Sequence, residues 1–82
     1  MSAKNHISLY PNPVSSILNI SNLGEPGNKI IVSNAMGQVV FHSENASSLK
    51  TIDVSSWTAG IYNVSIISTE QNILGTSRFI KE

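Results

Sequence analysis

The stretch Ser55-Ser56-Trp57-Thr58-Ala59-Gly60-Ile61-Tyr62-Asn63-Val64-Ser65-Ile66 decides the fold class. Its second half alternates. Tyr62, Val64 and Ile66 fall on one side and Asn63 and Ser65 on the other, the period of two that a strand with one buried face requires. Its first half is too short to hold a helix by itself and ends in Gly60, so it reads as a tight corner with Trp57 packed beneath it. A corner feeding a half-buried strand is an all-β signal, and the rest of the chain must supply strands to pair with it.

It does. Downstream, Thr69 to Asn72 makes a hairpin turn and Ile73 to Lys81 is a seventh strand. Upstream, Lys50 to Val54 is the fifth, with Ile52 and Val54 inward, and Ser43 to Leu49 is a polar surface crossing. Lys29 to Ser33, with Ile30 and Val32 inward, and Gln38 to His42, with Val40 as its core candidate, are joined by Asn34-Ala35-Met36-Gly37. That tetrapeptide reads as a type I turn in which Gly37 takes the left-handed conformation that feeds a bulged hairpin. Gly24 to Asn28 is a loop, Ile17 to Ser21 a strand with Leu18 and Ile20 inward, and His6 to Tyr10 the first strand, with Ile7 and Leu9 on one face. Pro11 and Pro13 remove two backbone donors, which a central strand does not tolerate, so this segment is an edge or a corner where the chain changes sheet. Residues 1–5 read as linker with an added starting Met, and 6–82 as one domain. Turn signals recur about every ten residues, which favours a sandwich over a barrel. The predicted architecture is all-β: a single Ig-like, Greek-key antiparallel β-sandwich of about seven strands. Tyr62 follows Trp57 and Gly60 at the spacing of the tyrosine corner of such sandwiches.

Composition narrows the function. Eighty-two residues allow one small domain, and 40% hydrophobic residues, many of them Ile and Val, supply a compact sheet core. Five basic and five acidic residues balance to zero net charge. Lys4, Lys29, Lys50, Arg78 and Lys81 are scattered, whereas nucleic-acid and anionic-membrane binding call for clustered cations. The chain has no cysteine, so disulfides and thiolate metal sites are excluded. No apolar run is long enough for a membrane-spanning helix, and the first residues lack the apolar core of a signal peptide.

Catalysis finds no support. The acids and bases are His6, His42, Asp53, Glu25, Glu44, Glu70 and Glu82. The two His residues fall on separate strands outside any metal-ligand spacing, and Asp53 sits at a strand end where its carboxylate is expected to bond turn amides. No glycine-rich phosphate loop is present. The expectation is no enzyme, no metal and no cofactor. Three Asn-x-Ser triplets, at Asn19, Asn45 and Asn63, are read as chance in a chain rich in both residues. Tyr10, Phe41, Trp57, Tyr62 and Phe79 invite a sugar-stacking platform, but Trp57, Tyr62 and Phe79 are assigned to the core, where aromatics dominate burial in small domains.

Taken in chain order, five elements resemble the type A C-terminal sorting domain of proteins exported by the type IX secretion system, the Por secretion system C-terminal domain family. They are Tyr10-Pro11-Asn12-Pro13; Leu18 and Ile20; Ile30, Val32, Asn34, Gly37 and Gln38; Asp53 and Ser55 leading to Gly60-Ile61-Tyr62 and Val64; and Arg78-Phe79-Ile80-Lys81. The resemblance covers about residues 7–82. It departs at Trp57, where the family more often has Leu, and at Glu82, which follows the final Lys81.

The resemblance implies a sandwich that folds in the periplasm and directs a passenger on its N-terminal side through the outer membrane. The implied partners are the type IX translocon, an outer-membrane shuttle protein and a sortase-like protease that usually removes the domain. The passenger ends secreted or at the cell surface. The terminal strand, Ser77, Arg78, Phe79, Ile80, Lys81 and Glu82, is the expected recognition surface. If it lies at a sheet edge, strand addition is the expected mode, and edge-strand self-association is a further possibility. The alternative function is a fibronectin-III-like or carbohydrate-binding adhesion module, for which an exposed aromatic platform is the discriminating feature; a structural spacer is a third.

Overall fold

A computed structural model describes residues 7–21, 27–44 and 49–82. Seven strands form: β1 (Ser8–Tyr10), β2 (Ile17–Ser21), β3 (Lys29–Asn34), β4 (Val39–Glu44), β5 (Leu49–Asp53), β6 (Gly60–Ile67) and β7 (Ile73–Lys81). They make two antiparallel sheets, ordered β1-β2-β5 and β4-β3-β6-β7. The chain passes between sheets after β2, β4 and β5 and returns within a sheet from β1 to β2, β3 to β4 and β6 to β7, which gives the expected Greek-key sandwich. The strand reading therefore holds to within about two residues of each end. His6, the proposed linker and most of the two polar crossings lie outside the described residues.

The alternation read from the sequence becomes the core. Leu18 lies opposite Ile52 in the first sheet, and Ile30 opposite Ile66 and Val32 opposite Val64 in the second. All six side chains are buried, together with Val14, Ile20, Val54, Tyr62 and Phe79, while Leu9 of β1 and Ile7 just before it pack against them. Each such aliphatic side chain contributes roughly 1.5–3 kcal/mol when withdrawn from water.

Val40 is a correction. It is 44% exposed, and Phe41 packs on the core instead. The cause is a β-bulge: Val32 pairs with Phe41 and Ser33 with Val39, which leaves Val40 as the extra residue. A bulge resets the period-two count, so a reading that runs the alternation through it picks the wrong residue.

The two hairpin turns are chemically the same. At Asn34 the side-chain Oδ1 accepts from the amides of Met36 and Gln38, Gly37 N–H donates to the Asn34 carbonyl, and Asn34 N–H to the Gln38 carbonyl. At Ser68, Oγ accepts from Glu70 and Asn72, with Gln71 N–H on the Ser68 carbonyl and Ser68 N–H on that of Asn72. The fourth position is left-handed in both, filled by Gly37 (φ 87°) in one and by Gln71 (φ 71°) in the other. An L side chain costs about 1–2 kcal/mol there, partly offset by the greater unfolded-state freedom of Gly. Gln71→Gly is therefore expected to stabilise the domain by about 0.5–1 kcal/mol, seen as a higher urea midpoint at unchanged m. A lower midpoint would show that the turn does not need the glycine.

Candidate functional site

The sheet registers gather four of the five sequence elements at one pole. Gly60 lies opposite Lys81, Asn34 opposite Tyr62 and Ile17 opposite Asp53, and Val14 bridges to Lys81. Residues 10–14, the 34–38 turn, the 53–62 corner and residues 78–82 thus converge, with Val64 just inside. The other pole holds the start of β1, where Ser8 pairs with Ser21, and the 68–72 hairpin. Gly27 is there too, its absent Cβ only 3.0 Å from Thr69 Cγ2. The poles are the two ends of a body 35 Å long.

At the converging pole the Pro-Asn-Pro segment lies along the outer edge of β7. Asn12 Oδ1 accepts Ile80 N–H at 2.9 Å, and Asn12 Nδ2 donates to the Arg78 carbonyl at 3.4 Å. Val14 continues the strap: its N–H donates to the Ile80 carbonyl at 2.8 Å and its carbonyl accepts Glu82 N–H at 2.9 Å. The proline-flanked peptide bonds 10–11 and 12–13 are cis. The expectation of a corner between sheets fits this course, since the segment leaves β1 of one sheet and reaches β7 of the other.

The strap also bears on strand addition at β7. β7 is an edge strand, but its Arg78 carbonyl, Ile80 N–H and carbonyl and Glu82 N–H are already bonded to Asn12 and Val14, so strand addition at those groups requires the strap to leave. The terminal side chains divide by alternation. Phe79 is fully buried and Lys81 is 7% exposed, its stem in the sandwich and its Nζ donating to the Glu82 carbonyl at 2.7 Å. Arg78, Ile80 and Glu82 face solvent, and Ser77 is half-buried.

The corner and the neighbouring 34–38 turn are held by three local devices. Asp53 Oδ1 accepts Ser55 Oγ at 2.7 Å and Ser55 N–H at 3.0 Å. Tyr62 Oη donates to the Thr58 carbonyl at 2.6 Å, which ties the strand start to the corner as in a tyrosine corner. Gln38 Oε1 accepts Asn34 Nδ2 at 3.0 Å across the neighbouring turn. Beneath them Tyr62 stacks on Phe79 at 5.3 Å, and Trp57 tilts against Tyr62, Phe79 and Phe41 at 5.1, 6.3 and 6.5 Å.

The hydrogen bonds from the Ser55 side chain and then its backbone hold the Asp53 carboxyl below its ordinary pKa of 3.8. A depressed folded-state value means the contribution is complete above the ordinary pKa and is lost as pH falls through the folded-state one. The urea midpoint is expected to drop between neutral pH and a pH below 3.8, and to drop less in Asp53→Asn. Equal acid sensitivity in the two proteins would remove Asp53 from the account.

Among the described residues no three His, Asp or Glu side chains meet, and His42 and Asp53 belong to different sheets. A cleft of about 530 Å³ lies between the 34–38 turn and the corner, lined by Met36, Val40, Trp57, Ile61 and Tyr62 with polar Asn34, Ser56 and Thr58. The two rings that line it, Trp57 and Tyr62, are tilted by 50° to each other, which is not the coplanar platform a sugar face needs. Sequence reading missed Val14 as a core residue and Thr58 as the acceptor for Tyr62; the single apolar side chain between Pro13 and Ser15-Ser16 was the available signal for the first.

A search of curated proteins finds no match. Among solved structures, PorZ of Porphyromonas gingivalis, described as an essential bacterial surface component of the type-IX secretion system, superposes with a TM-score of 0.75 at 16% identity. That match covers 93% of this chain and only 11% of PorZ, so it speaks to the fold of one small part of that protein. A DUF3244 family protein from Bacteroides vulgatus, with an immunoglobulin-like β-sandwich fold, matches at TM-score 0.73 and 25% identity over 93% of this chain and 84% of its own. The family model described as a secretion system C-terminal sorting domain matches residues 8–82. The chain belongs to that family.

Proposed function

We propose that this domain is the address by which a protein fused to its N-terminal side leaves the cell through the type IX secretion system. The family match over residues 8–82 carries the reading. In the fuller proposal the sandwich folds in the periplasm, an outer-membrane shuttle protein and the translocon receive it, and a sortase-like protease cuts it from a passenger that is then released or held at the surface. Residues 6–82 form the signal and residues 1–5 its linker. The geometry supports this reading in one respect: a passenger would join at the pole opposite the gathered sequence elements, leaving those elements unobstructed.

The test is a fluorescent protein carrying an inner-membrane signal peptide and, at its C-terminus, residues 1–82. It is expressed in a bacterium with a working type IX system and in a translocon mutant. Fluorescence at the surface or in the medium of the intact strain alone is expected. Periplasmic retention in both strains would overturn the proposal.

A further inference from the structure

Resting on the sorting reading, we propose that the pole of gathered elements docks a folded protein of the export route, which inserts one apolar side chain into the cleft lined by Met36 and Trp57 and sets a carboxylate against Arg78. Three observations lead there. First, apolar side chains are exposed at this pole beyond what the fold uses. Met36 is 82% exposed in a turn whose hydrogen bonds need only its backbone, where a polar residue would serve equally well. Val40 and Ile61 line the same cleft and are themselves exposed. Ile61 pairs across the sheet with exposed Ile80, which extends the apolar ridge to β7. A methionine at a rim suits a site that must fit a partner's side chain.

Second, the charge on this ridge is uncommitted. Arg78 alternates with Ile80 on the outer face, opposite Asn63, and its guanidinium has no ion-pair partner among the described residues. A guanidinium recognises a carboxylate by two parallel hydrogen bonds. Third, the strap of Asn12 and Val14 occupies the β7 edge, so the partner reads side chains on a rigid face rather than adding a strand. A space of about 530 Å³ suits an anchoring side chain at the centre of a larger contact, the arrangement in which few residues carry most of the affinity.

The fluorescent fusion tests this with three variants. Ile61→Thr/Ile80→Thr keeps β-branching on the sheet while removing the ridge, Arg78→Glu reverses the charge without touching the core, and Ile73→Thr alters an equally apolar residue, 67% exposed, at the other pole. All three purified domains are expected to melt within about 5 °C of the parent. Translocon-dependent export is expected to fall about tenfold or more in the first two and to stay unchanged in the third. Full export of both pole variants, with the parent exported normally, would overturn the docking surface and leave the sorting reading standing. No export of the parent defeats both. A parent domain that sediments as a dimer, split by Ile61→Thr/Ile80→Thr, would make the face a contact between copies and also overturn the proposal.

Discussion

Phe79→Ala is expected to cost about 3–5 kcal/mol, a large share of the stability of a domain of this size. Phe79 is fully buried, stacked on Tyr62 and in ring contact with Trp57. Truncation opens a cavity where the two sheets and the corner meet, and small domains of this length have roughly 4–12 kcal/mol of total stability to lose. The neighbouring substitution Ile80→Ala supplies the contrast. Ile80 faces solvent and loses only its cross-strand contact with Ile61, worth less than about 1 kcal/mol. Urea unfolding followed by Trp57 fluorescence measures both, and equal losses at the two positions would contradict the assignment of inner and outer faces. The same contrast explains why deleting Arg78 to Glu82 is a poor probe of recognition: it removes a core aromatic along with any surface.

Asn12→Ala is expected to cost about 1–2 kcal/mol through two hydrogen bonds to the β7 edge, lowering the melting temperature by roughly 5–15 °C. The loss has a local signature. Ile80 N–H loses its acceptor while the bonds of Val14 to Ile80 and Glu82 remain, so amide exchange should accelerate at Ile80 more than at Glu82. Asn12→Asp keeps an acceptor for Ile80 but loses the donor to Arg78, and is expected to fall between the two. An exchange pattern unchanged by Asn12→Ala would remove the strap. A bared edge is also a template for pairing, so the Ala variant should associate at concentrations where the parent does not.

Most of the fold was legible because it rests on local patterns. Period-two alternation marked Leu18, Ile20, Ile30, Val32, Ile52, Val64 and Ile66 as core, and Asn34 with Gly37 marked a bulged hairpin. Val40 was misread because a bulge changes the parity of a strand without changing its composition. The site was less legible, for a different reason. Asn12 bonds residues 66 and 68 positions away, and no local pattern announces such a partner. That β7 is an edge, that the edge is covered, and that Lys81 turns inward all follow from which strands become neighbours. The resemblance to the sorting family located the relevant segments, and only the sheet registers brought them to one pole.

The strap has a consequence for timing. Its two ends are among the first and the last parts of the domain to emerge during synthesis, and contacts of such separation form late because a long loop must close first. A chain that stops before Phe79 lacks the central ring of the core, the acceptors for Asn12 and the partner of Val14 together, and is left without a sandwich to present. A completed fold is thereby a receipt for a fully synthesised domain: any machine that accepts only the folded form rejects a chain cut short within it.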